Sequence, residues 1–307
     1  SVVQSSRVAV RMSLRTAMAH RNLLYLLSLK ELRTRYKKSV LGWAWSLLNP
    51  ISQMLIFTII FTYVFGQNPL AGDPSGLKNF PLYFLCGLLP WNFFAITTST
   101  AMGNVQNGAG LIKKVTFPHE HLVFSVVVAQ FVTLLIETII LFVALTLAGQ
   151  TPLVWLPILL VLYGLWALFT TGVALALSAA NVFFHDVQYL WSIVSQLLFY
   201  ATPVIYFIPL IKLDALRNVA NYGPTGSFIV AFHDVLYDGR MPSIARVGYL
   251  AVLAAFTLAA GAWIFGGGLF SQQASIVATD GTITLGPYPE TKAVLGGFVI
   301  LEVPTRD

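Results

Sequence analysis

A cluster of cations lies between residues 30 and 38, next to apolar and aromatic side chains. Arginine offers a planar fork of N–H donors and lysine a compact charge, so both suit phosphate groups and anionic headgroups. The same cations would also hold a helix on bulk anionic lipid, and both interpretations stay open. The cluster comprises Lys30, Arg33, Arg35, Lys37 and Lys38.

Glu137 is the one acidic residue well inside an apolar run. A carboxylate at membrane depth is costly, so Glu137 is a candidate intramembrane polar site. The alternative is a protonated or hydrogen-bonded carboxyl with a structural role. Cys86, the single cysteine, excludes an intramolecular disulfide and a multi-cysteine metal site. We therefore expect no metal and no catalytic centre in this chain.

The cations belong to a predicted helix over 21–41 that lies at a membrane surface. Leu29 and Leu32 share an apolar stripe, whereas Lys30 and Arg33 lie on the opposite side. Two tryptophans follow, and no charged residue occurs from Ser39 to Gly72. A basic amphipathic helix that leads through tryptophans into a charge-free run is typical of an interfacial helix before a span.

The composition indicates an integral membrane protein. Hydrophobic residues make up 57% of the 307 residues and charged residues only 10%, whereas soluble domains are about 25% charged. Nine of the eighteen Lys and Arg residues precede residue 39. This clustering indicates topology and contact with membrane lipids, and it excludes nucleic acid as a partner because no folded basic face is available.

Six runs are long enough to cross a membrane, which takes about 20 residues each. We predict an all-α membrane protein with a cytoplasmic arm at 1–20, a transmembrane domain at 21–270 and a cytoplasmic tail at 271–307. The tail contains an Asp280-Gly281 turn signal and predicts a short β-hairpin. Small residues at 251, 255 and 259 predict a close-packing face in the last span. The predicted spans are 45–66, 80–102, 122–147, 154–180, 187–211 and 247–270.

The cation bias places the N-terminus in the cytoplasm, because positively charged flanks of the first span stay inside. Lys113 and Lys114 lie in the second linker, on the same predicted side. Six spans then put both termini in the cytoplasm of a multi-pass protein of the bacterial cytoplasmic membrane.

Four ordered stretches resemble one family. They are LGWAWSLLNP, LCGLLPWNFF, LIKKVTFPHE and HDVQYLWSIVSQLLFYATPVIY. Together they are similar to the membrane subunit of type-2 ABC exporters, and more narrowly to Wzm-type permeases that export polysaccharides such as O-antigen, teichoic acid or mycobacterial galactan. The resemblance covers about residues 20–270.

The resemblance implies a homodimer in which each subunit pairs with a separate cytoplasmic ATPase. The chain contains no Gly-Lys dipeptide and therefore no Walker A loop. No cofactor is expected here, and ATP and Mg²⁺ would be bound by the partner. The chain is thus predicted to be a transport subunit and not an enzyme.

The linker between the second and third spans resembles the coupling helix that docks on the ATPase. A basic loop on the cytoplasmic side explains its lysines equally well. Family members usually carry a basic residue after the proline and an Arg-Asp pair before span five, where this chain has His119 and His185-Asp186. The coupling candidates are Leu111, Ile112, Lys113, Lys114, Phe117 and Glu120.

The amphipathic helix resembles the family's gate helix, so its cations are candidates for a lipid diphosphate at the channel entrance. Aromatic residues make up 13% of the chain. Interfacial belts explain most of them, but flat rings also stack on sugars. Candidates for a glycan pathway are Tyr63, Tyr83, Trp91 and Tyr200.

The predicted function is ATP-driven export of a lipid-linked polysaccharide. A lipid or drug exporter of the same superfamily is the first alternative. An intramembrane polyprenyl-phosphate sugar transferase is the second, and it would need several acidic or histidine side chains at the membrane face.

Overall fold

The computed structural model describes residues 21–36, 44–64, 66, 70–107, 120–184 and 186–268, and four strands between 276 and 301. The predicted arm at 1–20 lies outside the described residues. Lys37 and Lys38 also lie outside the described residues. The same holds for the linker at 108–119, which contains five of the six coupling candidates.

Nine α-helices lie in the described part of the chain. The first five are α1 (Arg21–Tyr36), α2 (Ala44–Thr58), α3 (Phe80–Asn107), α4 (Glu120–Leu147) and α5 (Leu156–Phe183). The other four are α6 (Val187–Ala201), α7 (Asp214–Tyr222), α8 (Pro224–His233) and α9 (Ile244–Trp263).

Short turns extend several helices. Residues Ile59–Val64, Asp234–Asp238 and Ile264–Gly268 form π-helical turns after α2, α8 and α9, and Pro152–Trp155 form a 3₁₀ turn before α5. The boundaries follow local chemistry. Pro224 begins α8, where its missing N–H costs least, and the Ser243 hydroxyl caps α9 by accepting from the Arg246 backbone N–H at 3.2 Å.

The C-terminal tail carries four short strands in two antiparallel pairs. Strand β1 (Ile276–Thr279) pairs with β2 (Thr282–Leu285), and the predicted Asp280-Gly281 turn between them lies outside the described residues. Strand β3 (Lys292–Leu295) pairs with β4 (Phe298–Leu301).

Helix α3 is the centre of the bundle and contacts α2, α4, α5, α6 and α8. The buried share of its apolar window is 72%, compared with 6% in the first span. Two indoles tie neighbours to it. Trp166 of α5 donates to the Pro90 carbonyl at 2.8 Å, and Trp191 of α6 donates to Thr98 Oγ1 at 3.0 Å. A buried indole N–H needs such an acceptor.

Five described segments are long and apolar enough to cross a membrane: Leu47–Val64, Phe80–Gln106, Glu120–Leu147, Pro152–Phe183 and Ile244–Gly266. They coincide with five of the six predicted spans. The remaining prediction, 187–211, is α-helical only to Ala201 and contains a separate 3₁₀ turn at Ile208–Leu210, so its helical extent was predicted wrongly. Pro203 explains the early end, because the residue before a proline is pushed out of the helical region, and Thr202 is extended at φ −90° and ψ 138°.

Candidate functional site

Helix α1 carries Lys30, Arg33 and Arg35 and packs along α4. Among its described side chains, 24–32, the buried ones are Leu27 and Ser28, which lie outside the predicted apolar stripe, while Tyr25 and Lys30 are exposed. Arg33 and Arg35 lie in the last turn and a half of the helix. The backbone of α1 therefore positions three of the five predicted cations at one end of the bundle.

The predicted coupling linker lies outside the described residues, between the end of α3 at Asn107 and the start of α4 at Glu120. Helix α1 packs against α4, and Glu31 and Leu32 of α1 line a cavity together with Val126 near the start of α4. Glu120 is partly buried. Helix α1 and the start of α4 are therefore neighbours in the bundle.

Two of the predicted aromatic side chains are core residues. Tyr83 is 5% exposed, stacks on Phe207 and His233 and donates to the Tyr206 carbonyl at 2.9 Å. Trp91 is 4% exposed and packs against Phe199. Both side chains link α3 to the α6–α8 region, and neither faces an open surface.

Tyr63 and Tyr200, in contrast, are exposed. Tyr63 lies in the π-helical turn after α2 and is 79% exposed. Tyr200 lies in α6 and is 55% exposed. A contact between the Phe57 and Phe199 rings, with centroids 6.4 Å apart, brings these two segments together. Helices α2 and α6 therefore meet at this contact, and the exposed apolar surface on either side of it, with Tyr63 and Tyr200, is here called the α2–α6 face.

Glu137 lies near the middle of α4 and is 9% exposed. Its side chain lines a cavity together with Asn92 and Gln130. The predicted intramembrane carboxylate is thus placed among other polar side chains, and not against a purely apolar wall.

The opposite end of the bundle carries a charged network that the sequence analysis missed. Arg240 Nε donates to Asp234 Oδ1 at 2.8 Å, and Arg246 donates both to Asp234 Oδ2 at 3.4 Å and to Asn221 Oδ1 at 2.9 Å. The network, here called the α8 lock, joins the turn after α8 to the start of α9 and to the end of α7. The sequence signal was the run of charges between 234 and 240, inside an otherwise apolar segment.

The π-helical turn of the α8 lock also holds the loop between the first two spans. Ser75 donates its backbone N–H to the Asp238 carbonyl at 3.0 Å, and Tyr237 donates to the Leu77 carbonyl at 2.7 Å. Five long apolar segments, with short helices held against one end of them by such contacts, define a polytopic membrane protein.

Comparison with known proteins agrees with this class. The family model described as ABC-2 type transporter matches residues 22–237. The chain belongs to the ABC-2 type transporter family, and the predicted family is confirmed.

The similar proteins include several export permeases. The O-antigen export system permease protein RfbA of Myxococcus xanthus is 31% identical over 80% of this chain and 92% of its own length. The protein of the same name from Klebsiella pneumoniae is 30% identical over 72% of this chain and 82% of its own. The polysialic acid transport protein KpsM of Escherichia coli is 34% identical over a shorter region, 28% of this chain and 31% of its own.

Proposed function

We propose that the chain is the membrane subunit of an ATP-driven exporter that moves a lipid-linked polysaccharide of the O-antigen, galactan or teichoic-acid type across the bacterial cytoplasmic membrane. The observation that carries the proposal is the similarity to O-antigen export permeases over 80% of the chain. The subunit works as a homodimer with a separate ATPase, which binds ATP and Mg²⁺.

The position of α1 supports this function. The cation-bearing α1 packs against α4, and the linker at 108–119 leads directly into α4 along the chain. In the proposed function both would lie on the cytoplasmic side, where an ATPase and an anionic lipid headgroup would dock. In this proposal Lys113 and Lys114 contact the ATPase, and the α1 cations receive the lipid phosphate. Arginine is suited to that role because its fork binds phosphate oxygens in pairs.

The α2–α6 face supports a glycan route. A span whose apolar window is only 6% buried needs either lipid or a second subunit against it. In the homodimer this face would surround the channel, and Tyr63 and Tyr200 would offer rings that stack on sugars.

The test is reconstitution with the partner ATPase of this exporter. Lipid-linked glycan should stimulate ATP hydrolysis and appear on the far side of the vesicle, and an ATPase with a disabled Walker lysine should abolish both. Stimulation by phospholipid or drug-like amphiphiles without glycan would favour the alternative exporters. Turnover of a sugar nucleotide by the purified chain alone would favour the transferase.

The same assay tests the site residues. Neutralising Arg33 and Arg35 to glutamine should reduce stimulation by the glycan at constant membrane composition, whereas neutralising Lys78 and Lys212 provides a charge-matched control. Tyr63→Ala and Tyr200→Ala should slow export with assembly intact, and Phe256→Ala, an aromatic residue 69% exposed on α9, is the control. Unchanged stimulation by the arginine variant would mean that these cations only hold the helix on lipid.

A further inference from the structure

Two cavities lie side by side between α1, α2, α3 and α4. The first, of about 70 Å³, is bounded by α2, α3 and α4, and the second, of about 240 Å³, by α1, α3 and α4. Both are lined by Ile96, Gln130 and Thr133, so they meet at these side chains. The two cavities together are here called the polar cleft.

One polar stripe of α4 forms the wall of the polar cleft. Gln130, Thr133 and Glu137 recur at helical spacing and are 7%, 6% and 9% exposed. Polar side chains inside a span are costly unless they meet water, protein or a ligand. The opposite wall adds the Asn92 amide and the Thr100 hydroxyl of α3. The cleft is therefore built for hydrogen bonds at membrane depth.

The polar cleft leads from α1 towards the middle of the membrane. Glu31 lies at the α1 end and Glu137 at the other, and the lining of α4 extends from Val126 to Glu137. Eleven helical steps cover about 17 Å, or roughly half of a hydrocarbon core of about 30 Å. Since one water needs about 10–15 Å³ of such volume, either cavity holds several.

The lining selects a particular chemistry. Among the described lining residues the side chains supply two carboxylates, three amides and two hydroxyls, and no cation. Carboxylates repel phosphate and accept hydrogen bonds from hydroxyl groups. Amides can both donate hydrogen bonds to hydroxyl groups and accept hydrogen bonds from them. Trp45, which is 54% exposed, adds a flat apolar ring at the rim. Sugars present this combination of hydroxyl edges and C–H faces.

We propose that the polar cleft is a water-filled binding site for the uncharged, hydroxyl-rich headgroup of a lipid, entered beneath α1. Lys30 of α1 is exposed and does not line the cleft, and its charge suits the phosphate of such a molecule. Only the choice of a glycolipid as ligand rests on the proposed function, because the same hydroxyl chemistry is present in a resident lipid with a glycerol headgroup.

Cysteine labelling tests whether water fills the cleft. Thr133→Cys is nearly isosteric, and the native Cys86 is fully buried and gives little background. Thr133→Cys should react with membrane-impermeant thiol reagents added from the α1 side.

The control is Ile139→Cys, which is 64% exposed on the same helix but does not line the cleft. Gln130→Cys repeats the test should Thr133→Cys fail to fold, as judged by gel filtration and melting temperature. Labelling no faster than that of Ile139→Cys would overturn the proposal, because the cleft would then be dry.

Vesicle composition tests the ligand. The labelling rate of Thr133→Cys is measured in phosphatidylcholine vesicles, and again with added diglucosyl diacylglycerol or phosphatidylglycerol. Protection of about threefold or more by the glucosyl lipid supports a sugar ligand, and protection by phosphatidylglycerol supports a resident glycerol headgroup. Equal rates in all three vesicles would overturn a binding role. No arm needs ATP or transport, so failure here would leave the proposed export function untouched.

Discussion

At the scale of single residues, the α8 lock changes how Arg240 and Arg246 should be interpreted as indicators of membrane topology. Arg240 and Arg246 count against a positive-inside pattern when charges are read along the sequence, because both lie on the predicted outer side. The structure pairs them with Asp234, whose side chain is only 9% exposed. Their charges therefore serve the packing of α8, and they are poor indicators of topology.

Replacing Asp234 by asparagine should destabilise the protein by about 2 kcal/mol, since hydrogen bonds to charged groups are worth about 1.5–3 kcal/mol. The melting temperature of the purified protein measures the effect. Asp214→Asn is the matched control, because its partner Arg217 is one helical turn away and its own side chain is 86% exposed. An exposed pair of that kind contributes about 0–1 kcal/mol. Equal shifts for both variants would contradict a structural role for the α8 lock.

The partly buried carboxyl of Asp238 should make the stability of the folded protein depend on pH. Burial raises the pKa of its carboxyl from 3.8 to about 6, although the Arg240 guanidinium opposes this shift. Because the folded pKa exceeds the unfolded one, the neutral carboxyl contributes stability that is complete below pH 3.8 and is lost as the pH rises through about 6.

Melting temperatures between about pH 4 and pH 7 check this expectation. Asp238→Asn, which stays neutral, should show a smaller loss of stability over this range than the unaltered chain. Asp214→Asn should retain the original slope. Parallel curves for Asp238→Asn and the unaltered chain would show that another group controls the pH dependence.

The candidate residues show where prediction from sequence ends at this scale. The sequence shows which aromatic residues lie within or beside predicted spans, but it could not tell that Tyr83 is enclosed by Phe207 and His233 while Tyr200 is exposed. Both residues occupy similar apolar surroundings in the sequence. Their difference comes from contacts between helices that are more than 100 residues apart.

At the scale of elements, α5 and α9 approach each other through glycines. A Cβ atom at Gly172 would overlap the Thr257 backbone, and one at Gly261 would overlap the Gly172 carbonyl. Close approach of this kind is how spans gain packing energy in lipid. The close-packing face of α9 is therefore at Gly261, whereas two of the predicted alanines, Ala255 and Ala259, are exposed.

Gly172→Ala should destabilise the bundle by about 1–3 kcal/mol, the usual cost of overpacking, because the helices must separate. Gly164→Ala is the matched control on the same helix, since nothing lies within 4 Å of its added methyl group. That change should be neutral or stabilising by up to about 1 kcal/mol. Thermal unfolding in one detergent compares the two variants, and a Gly172→Ala protein as stable as the control would contradict the close contact.

Helices found by hydropathy were predicted well because a long apolar run has few alternatives in a membrane. The exception is α6, where the apolar run continued beyond a proline that ends the helix. The short helix α8 could not be found by this criterion either, because it is shorter than the about 20 residues that a span takes. Its ten residues are apolar for reasons of burial within protein, and not because they face lipid.

At the scale of the whole molecule, the number of crossings decides the topology. Helix α6 has 15 residues, which cover about 22 Å, less than a hydrocarbon core of about 30 Å. The chain beyond it is irregular, but Thr202, Val204 and Ile205 are all less than 5% exposed. Irregular backbone is tolerated at membrane depth where protein covers it, so this segment can complete a sixth crossing.

We therefore expect tags before Ser1 and after Asp307 to be accessible from the same side of the membrane. Protease protection in right-side-out and inverted vesicles measures this. A cysteine at Ser75, in the loop between the first two spans, should be labelled only from the opposite side. Tags on opposite sides would mean five crossings, with α6 folded back.

The burial of α8 has a consequence for biosynthesis. Nine of its ten residues are buried, and its neighbours include α3 and α5, which leave the ribosome earlier, and α9, which leaves later. A helix of about 15 Å cannot be released into lipid by the translocon as a span, because its ends would lack polar partners. Helix α9, the last transmembrane segment, thus completes the protein surroundings of α8 that α3 and α5 have already begun to form. In a chain truncated before Ile244, α8 would stay partly uncovered and would be exposed to membrane quality control.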